Sequence, residues 1–260
     1  MIREMMSLQG RVALITGGAG HIGRSMGLAL NDLGARVILL DRDETVHRVA
    51  ASLDNAVGVI ADLSDEHAMR AAAGAAIDDT GGRLDILINN AAFVGTSDLT
   101  GWAEPFEKQT TETWRAALEV NLTAAFALCQ QVTPALRASG HGTILNIASI
   151  YGALGPDWSF YEGTSMANPA AYAASKGGMI QMTRWLSTTL APQIRVNAIC
   201  PGGVARGQPE SFVERYEART PLGRMANEDD IAGAAAFLVT DAARYVTGQV
   251  LMVDGGFSAW

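Results

Sequence analysis

Residues 11–23, RVALITGGAGHIG, place a short β-branched run directly before a glycine-rich turn. The run predicts a strand over Arg11–Thr16, and the apolar spacing that follows predicts a helix from the turn to about Leu33. Glycines allow a tight turn and let the backbone approach a bound group closely. The N-terminus of such a helix attracts an anion such as a pyrophosphate. A strand, a glycine-rich turn and a helix in this order predict a dinucleotide site.

The same alternation of strand-like and helix-like segments continues along the chain. Further strands are predicted at Arg36–Asp41, Val57–Asp62, Leu84–Asn89, Gly142–Ser149, Arg195–Cys200 and Gln249–Val253. The longest helical segments are predicted at Thr111–Ala138, Pro169–Leu190 and Glu228–Thr240. The strand segments are apolar on both faces, as expected when helices cover a sheet above and below. We therefore expect α/β architecture, with residues 1–260 forming a single doubly wound Rossmann-type domain and a seven-stranded parallel sheet flanked by helices.

Composition and charge exclude several classes of function. The net charge of −8 leaves no basic face for a nucleic acid. No segment approaches the roughly 18 apolar residues of a membrane span, and the first residues lack the apolar core of a signal peptide. Cys129 and Cys200 have no metal-ligand spacing, so we expect two buried core residues and no metal site. These observations predict a cytoplasmic protein without nucleic-acid or membrane partners.

Acidic residues end the second and third predicted strands. Asp41 follows the glycine turn by about twenty residues, where a carboxylate accepts the ribose hydroxyls of NAD and repels the 2′-phosphate of NADP. Arg42 follows it, and an arginine can bind that phosphate. NAD(H) is therefore the favoured cofactor and NADP(H) the alternative. Asp62 is placed either to meet the adenine edge or to cap a helix that begins near Asp65.

Tyr172 and Lys176 are four residues apart within a helical pattern and so share a helix face. A nearby ammonium favours the phenolate and lowers the pKa of a tyrosine from about 10, which makes it usable as an acid/base. Lys176 can also bond the nicotinamide ribose. Ser149 closes a predicted strand. The Tyr–Lys spacing alone is a weak signal, but it becomes strong in combination with Ser149, Asp41 and the glycine turn.

At this point the chain resembles the short-chain dehydrogenase/reductase family, in its compact branch, over about Leu8 to Gly256. The motifs that carry the resemblance are TGGAGHIG (16–23), Asp62-Leu63, Asn89-Asn90-Ala91-Ala92, Asn121 in EVNL, Ser149 in NIAS, YAASK (172–176), RVNAICPGGV (195–204) and VTGQVLMVDGG (246–256).

The resemblance implies hydride transfer between a nicotinamide cofactor and a secondary alcohol or ketone. Tyr172 would be the proton donor and acceptor, Lys176 its activator, and Ser149 a hydrogen-bond partner of the reacting oxygen. Asn121 would hold a water that relays protons toward Lys176, or else be a satisfied buried amide. The expected cofactor-binding residues are Gly17, Gly20, His21, Ile22, Gly23, Asp41, Arg42, Asp62, Leu63, Asn89, Ala91, Tyr172, Lys176, Pro201, Gly202 and Val204.

Three departures from the family pattern stand out. His21 replaces the middle glycine of TGxxxGxG, so its side chain must either contact the pyrophosphate or point away from it. Arg206 replaces a threonine that typically touches the nicotinamide carboxamide. Ser149 and Tyr172 are 23 residues apart, further than is usual, so an insertion lies between them.

The segments at about 150–170 and 202–224 leave strands at the end of the sheet where ligands bind, and are predicted substrate loops. Mixed aromatic and polar residues in the insertion suit a sugar-like or polyol substrate, and an arginine suits an anionic group. The predicted substrate contacts are Trp158, Tyr161 and Arg206, with Arg215 as a further candidate. Alternatively, the aromatic side chains only pack the insertion onto the domain.

Two other functions share part of these motifs. A sugar-nucleotide-modifying enzyme has the same Tyr–Lys spacing, usually with a larger C-terminal domain. A regulatory or scaffold protein binds NAD(H) on the same fold without catalysis, but such proteins typically lose the Tyr or the Lys. The resemblance also implies a homo-oligomer, a tetramer or a dimer, joined through the helices at about 111–138 and 169–190 and through the last strand.

Overall fold

The computed structural model describes residues 1–94 and 99–260, and the predicted strands are all present in these ranges. The strands are β1 (Val12–Thr16), β2 (Arg36–Asp41), β3 (Ala56–Ile60), β4 (Ile86–Asn89), β5 (Gly142–Ile147), β6 (Ile194–Pro201) and β7 (Val250–Val253). They form one parallel sheet in the order β3-β2-β1-β4-β5-β6-β7. The expected seven-stranded parallel sheet is confirmed.

The strand order reverses between β1 and β4, and this reversal positions the site. The chain runs outward from β1 through β2 to β3 and then returns to pair β4 with the other edge of β1. The crossover helices before and after such a point lie on opposite faces, which opens a crevice at the carboxyl ends of the two strands. Thr16 and Asn89 end these two strands, so the motifs around them meet at the crevice.

Helices lie on both faces of the sheet. They are α1 (Ile2–Met6), α2 (His21–Asp32), α3 (Thr45–Ala51), α4 (Glu66–Asp78), α5 (Thr111–Leu118), α6 (Ala124–Ser139), α7 (Ala170–Thr189), α8 (Glu210–Arg219) and α9 (Glu228–Val239). Along β1, Ala13 and Ile15 pack into the cluster that includes α2 and α9, whereas Val12 and Leu14 pack into the cluster that includes α4 and α6. This alternation explains why the strands are apolar on both faces, and it confirms the doubly wound arrangement.

The helix predicted over Thr111–Ala138 is interrupted. A π-helical turn at Glu119–Thr123 separates α5 from α6, and it includes the buried Asn121. A π turn inserts an extra residue into the helix and is frequent at functional sites. A pattern of period 3.6 cannot show such a turn, because the apolar spacing resumes after it.

The two predicted substrate loops pack against each other. Short 3₁₀ turns lie at Ile150–Gly152 and Trp158–Tyr161 in the first loop, and the second contains α8. An aromatic cluster joins both loops to the C-terminal residues; its fully or largely buried members are Phe160, Tyr161, Phe212, Tyr216 and Phe257. Arg215 donates hydrogen bonds to the carbonyls of Ser159 and Glu162, at 3.1 and 2.7 Å. The insertion is thus held on α8 as one unit.

Both cysteines are buried and free, as expected, and burial raises the pKa of the Cys129 thiol to about 12. Within the described ranges, no helix has the length and apolar character needed to cross a lipid bilayer.

Candidate active site

A cleft of about 770 Å³ lies at the carboxyl ends of the central strands. It extends from Asp41, at the end of β2, to Tyr172 and Lys176 on α7. Fifteen of the sixteen predicted cofactor-binding residues line it. They are Gly17, Gly20, His21, Ile22, Gly23, Asp41, Arg42, Asp62, Leu63, Ala91, Tyr172, Lys176, Pro201, Gly202 and Val204.

The glycine turn forms one wall of the cleft and is tightly packed against the end of β4. Gly17 has a φ of +67°, which favours glycine over other residues. Asn90 donates hydrogen bonds from Nδ2 to the carbonyls of Thr16 and Gly17, at 2.9 and 3.2 Å. The hydroxyl of Thr16 accepts hydrogen bonds from the amides of Asn90 and Ala91, at 3.0 and 3.1 Å. Asn90, which the sequence analysis names as part of a motif but not among the expected cofactor-binding residues, therefore fixes the turn and also lines the cleft.

Asn89, the remaining predicted cofactor residue, does not line the cleft. It is 3% exposed, and its Nδ2 donates to Oδ1 of Asn146 on the neighbouring strand at 2.8 Å. Asn146 in turn donates to the hydroxyl of Thr183 on α7 at 2.8 Å. The Asn89 side chain therefore lies between strands and supports the sheet, and its predicted cofactor contact stays a prediction. Of the two adjacent asparagines, only the second reaches the cleft.

Two carboxylates line the other end of the cleft. The oxygens of the half-buried Asp41 accept the amides of Ala19 and Asp43, both at 3.0 Å, which fixes the carboxylate beside the turn. Asp62 accepts the amide and the hydroxyl of Ser64, and these bonds hold its pKa below the usual value. The cap of α4 is Asp65, so the alternative role of Asp62 as the cap of that helix does not apply.

Ser149, Tyr172 and Lys176 meet at the opposite end of the cleft. Ser149 lies two residues beyond β5, and Tyr172 and Lys176 occupy successive turns near the start of α7. Lys176 is 2% exposed; its Nζ donates to the carbonyl of Ile147 at 2.7 Å and lies 5.9 Å from the centroid of the Tyr172 ring. The structure therefore brings the three predicted catalytic side chains together around one point of the cleft.

The pKa values of Tyr172 and Lys176 differ from those expected from the sequence. Burial lowers the pKa of Lys176 to about 8 and raises the pKa of Tyr172. Hydrogen bonding to Ser149 and the positive charge of Arg206 oppose the rise of the Tyr172 pKa. The sequence predicts that Lys176 lowers the Tyr172 pKa, whereas in the structure Arg206 is the cation that lowers it.

Asn121 lies behind the cleft and does not line it. The side chain is fully buried; its Oδ1 accepts the amide of Phe93, and its Nδ2 donates to the hydroxyl of Ser175 at 3.0 Å. These partners are those of a satisfied buried amide, the alternative interpretation of this residue. The water relay from Asn121 toward Lys176 stays a prediction.

Of the three predicted substrate contacts, one lines the cleft and two do not. Trp158 is 55% exposed, and neither it nor Tyr161 lines the cleft. Tyr161 packs on Phe212, with ring centroids 5.5 Å apart, and donates its hydroxyl to that of Tyr151 at 2.8 Å. Tyr161 therefore packs the insertion onto α8, as the alternative interpretation of these aromatic residues has it, and direct contact of Trp158 and Tyr161 with substrate stays a prediction.

Of the two arginines, Arg206 lines the cleft. Arg215 does not, because its guanidinium is bonded to the backbone of the insertion.

An apolar wall beside Tyr172 has no counterpart in the sequence motifs. Phe93 and Leu99 line the cleft and pack in a cluster that includes Tyr172 and the buried Trp102. Phe93 meets Trp102 edge to face at 5.0 Å between ring centroids. Sequence reasoning missed this wall, since Phe93 and Leu99 follow a strand in a segment without periodicity.

Comparisons with known proteins agree with this geometry. A family model described as enoyl-(acyl carrier protein) reductase matches residues 17–258. A cis-4-hydroxycyclohexanecarboxylate dehydrogenase from Sinomonas cyclohexanicum is 35% identical over 259 residues, covering 96% of this chain and 97% of the relative. A galactitol 2-dehydrogenase (L-tagatose-forming) from Cereibacter sphaeroides is 35% identical over 272 residues, covering 99% of both chains.

Solved structures are similar along the whole chain. A short-chain dehydrogenase from Leptospira borgpetersenii with bound NAD+ superposes with a TM-score of 0.86 at 34% identity, covering 99% of this chain and 96% of the other. A gluconate 5-dehydrogenase from Burkholderia cenocepacia in complex with NADP and tartrate gives 0.85 at 30% identity, covering 100% of both chains. The family match, the sequence relatives and these structures support an oxidoreductase with a nicotinamide cofactor. The chain belongs to the short-chain dehydrogenase/reductase family.

Proposed function

We propose that this protein transfers hydride between NAD(H) and a secondary alcohol or ketone on a small cyclic or polyhydroxylated molecule. The observation that carries the proposal is the shared cleft, which has Ser149, Tyr172 and Lys176 at one end and Asp41 and the glycine turn at the other. A dinucleotide bound to an open α/β sheet lies across the crevice at the carboxyl ends of the strands, where this cleft is found. Relatives that act on a hydroxycyclohexane and on a hexitol support the substrate class.

The catalytic side chains supply proton transfer and orientation. In the oxidative direction, Tyr172 as phenolate accepts the proton of the substrate hydroxyl, while Ser149 donates a hydrogen bond to the same oxygen. The nicotinamide, when bound, supplies the hydride acceptor. Lys176, held on the carbonyl of Ile147, is placed to bond the ribose. Asn121 contacts α7 through Ser175 and supports this end of the cleft from behind. In the reductive direction the proton returns from Tyr172 to the carbonyl oxygen.

The glycine turn fits the pyrophosphate of such a cofactor. A Cβ on Gly23 would lie 2.1 Å from the carbonyl of Gly17, so the close approach of helix and turn requires glycine. The half-buried Asp41 favours NAD(H), because a carboxylate at this position accepts ribose hydroxyls and repels a 2′-phosphate. Arg42 lines the cleft beside it and supports NADP(H) as the alternative, and solved relatives bind either cofactor.

The substrate end of the cleft favours a ring or a carbon chain with several hydroxyl groups. Phe93 and Leu99 offer an apolar surface beside Tyr172. Arg206 faces the same space and brings a positive charge. Apolar walls with a few polar groups are typical of small-molecule sites.

A panel assay tests the proposal. We expect NAD+-dependent NADH formation with cyclic alcohols, polyols or sugar acids, at a higher rate than with NADP+. Tyr172→Phe should lower kcat by about 100-fold to 10,000-fold, because it removes the acid/base, and leave the NADH Kd within about twofold. Tyr245→Phe is the matched control, since Tyr245 is fully exposed and lies outside the cleft. Turnover retained in Tyr172→Phe would refute the catalytic assignment, and NADH binding without turnover on any alcohol would favour the regulatory alternative.

A further inference from the structure

His21 and Arg206, two residues that depart from the family pattern, contact the same third residue. His21 is the first residue of α2, and Arg206 follows β6; both line the cleft. Between them lies Glu228, the first residue of α9. Its Oε1 is 3.7 Å from Nδ1 of His21 and 3.8 Å from Nε of Arg206. One carboxylate oxygen therefore serves both side chains at the edge of the cofactor cleft.

The backbone that carries Glu228 is firmly held. Asn227 and Asp230 form a reciprocal capping box at the start of α9, and Arg224 adds two hydrogen bonds to the Asp230 carboxylate, at 2.7 and 2.8 Å. Ser25 on α2 donates to Asp229 at 2.9 Å, which ties α9 directly to the helix of the glycine turn. These bonds hold the backbone around Glu228, and its side chain makes the two longer contacts with His21 and Arg206.

The contacts of Glu228 are easily exchanged. Both distances exceed those of a hydrogen bond, and the side chains of His21 and Arg206 are 72% and 40% exposed. Exposed ion pairs of this kind contribute little to stability. A doubly charged anion at the N-terminus of α2 would offer both His21 and Arg206 a stronger partner, since an arginine fork matches phosphate oxygens.

We propose that Glu228 competes with the cofactor pyrophosphate for Arg206 and His21, so that Arg206 is a phosphate ligand of the bound dinucleotide. The inference rests on the proposed function, because it assumes that a dinucleotide lies between Asp41 and Tyr172. In the free protein the Glu228 carboxylate lies against the Arg206 guanidinium and the His21 imidazole, and on binding the pyrophosphate takes its place. Glu228 therefore weakens cofactor binding and eases its release. This assignment differs from the expectation that Arg206 anchors a substrate anion.

Cofactor binding without substrate tests the inference. The Kd of NADH is measured by fluorescence titration for the wild type, Glu228→Gln and Asp229→Asn. Both variants lose one negative charge on the same turn of α9, but the Asp229 carboxylate contacts Ser25 rather than a cleft cation. We expect Glu228→Gln to bind NADH about threefold to tenfold more tightly, the effect of one unit charge close to the phosphates. Asp229→Asn should stay within about twofold of the wild type. An unchanged or weaker affinity of Glu228→Gln overturns the inference.

The part played by Arg206 needs a double-mutant cycle. Arg206→Ala should weaken NADH binding about tenfold, and in that background Glu228→Gln should change the Kd less than it does alone, because the two residues share one interaction. If Glu228→Gln changed the NADH Kd equally in the wild type and in Arg206→Ala, the proposed role of Arg206 would be overturned. Melting temperatures of all variants show that each is folded. A wild type that binds neither NADH nor NADPH would refute the proposed function, whereas normal NADH binding with no response to Glu228→Gln refutes only this inference.

Discussion

Replacing Gly23 by alanine tests the geometry on which the cofactor site depends. A Cβ at this position would lie 2.1 Å from the carbonyl oxygen of Gly17 and 2.9 Å from Nδ2 of Asn90. The carbonyl cannot simply move aside, because it accepts hydrogen bonds from the Asn90 side chain and from the amide of Gly20, both at 3.2 Å. The turn must therefore separate from α2 by at least about 1.3 Å to reach ordinary contact distances.

The expected change in the free energy of unfolding of Gly23→Ala is the sum of two opposing contributions. Overpacking of a tight contact costs about 1–3 kcal/mol, and a clash with bonded backbone belongs at the upper end. Alanine has a higher helix propensity than glycine, by up to about 1 kcal/mol. The net loss of about 2 kcal/mol lowers the melting temperature of a chain of this size by about 4–8 °C. Because the displaced turn is the proposed pyrophosphate site, we also expect NADH affinity to fall at least about tenfold.

Gly233→Ala is the matched control for this substitution. Gly233 lies inside α9, and a Cβ there would meet nothing within 4 Å. The same chemical change should therefore raise the melting temperature by about 2–4 °C and leave the NADH Kd unchanged. Thermal unfolding and fluorescence titration are measured on both variants. If Gly23→Ala melts and binds NADH like the wild type, then the close approach of α2 to the turn does not determine the site and the reasoning fails.

Two further predictions concern charge and assembly. The positive charge of Arg206 lowers the pKa of Tyr172, so Arg206→Ala should raise that pKa and move the phenolate-dependent limb of the kcat/KM profile for alcohol oxidation to higher pH. Arg206→Lys keeps the positive charge, so its pH profile should lie close to that of the wild type. An unmoved profile in Arg206→Ala would show that this charge does not affect the pKa of the phenol. Trp114, Phe126 and Trp185 on α5, α6 and α7 are 39%, 42% and 58% exposed, so we expect a dimer or tetramer in sedimentation velocity. Trp185→Lys should shift the sedimentation distribution toward smaller species. A wild type that sediments only as a monomer contradicts the expectation of an oligomer.

The local motifs predicted most of the cleft. The glycine turn, the carboxylate at the end of β2 and the Tyr172–Lys176 pair all lie where their sequence context placed them, within elements whose ends differ from expectation by only a few residues. Such motifs are predictable because each is set by the backbone geometry of a few consecutive residues. Periodicity likewise determined the parallel sheet, since apolar runs with two buried faces require helices on both sides.

Contacts between distant segments could not be predicted in this way. Asn89 and Asn90 are adjacent in one motif, but the position of Asn146 on the next strand directs the first into the sheet, and only the second reaches the cleft. Tyr161, a predicted substrate residue, packs against Phe212 of a distant segment, which its own sequence context does not indicate.

By itself, the sequence determined the fold and predicted most of the side chains that line the central cleft. Only the tertiary structure decided which charges face one another, as Glu228 does with Arg206 and His21. The physical reason is that a motif constrains its own backbone, whereas the partner of a charge or an aromatic ring is set by how remote segments pack.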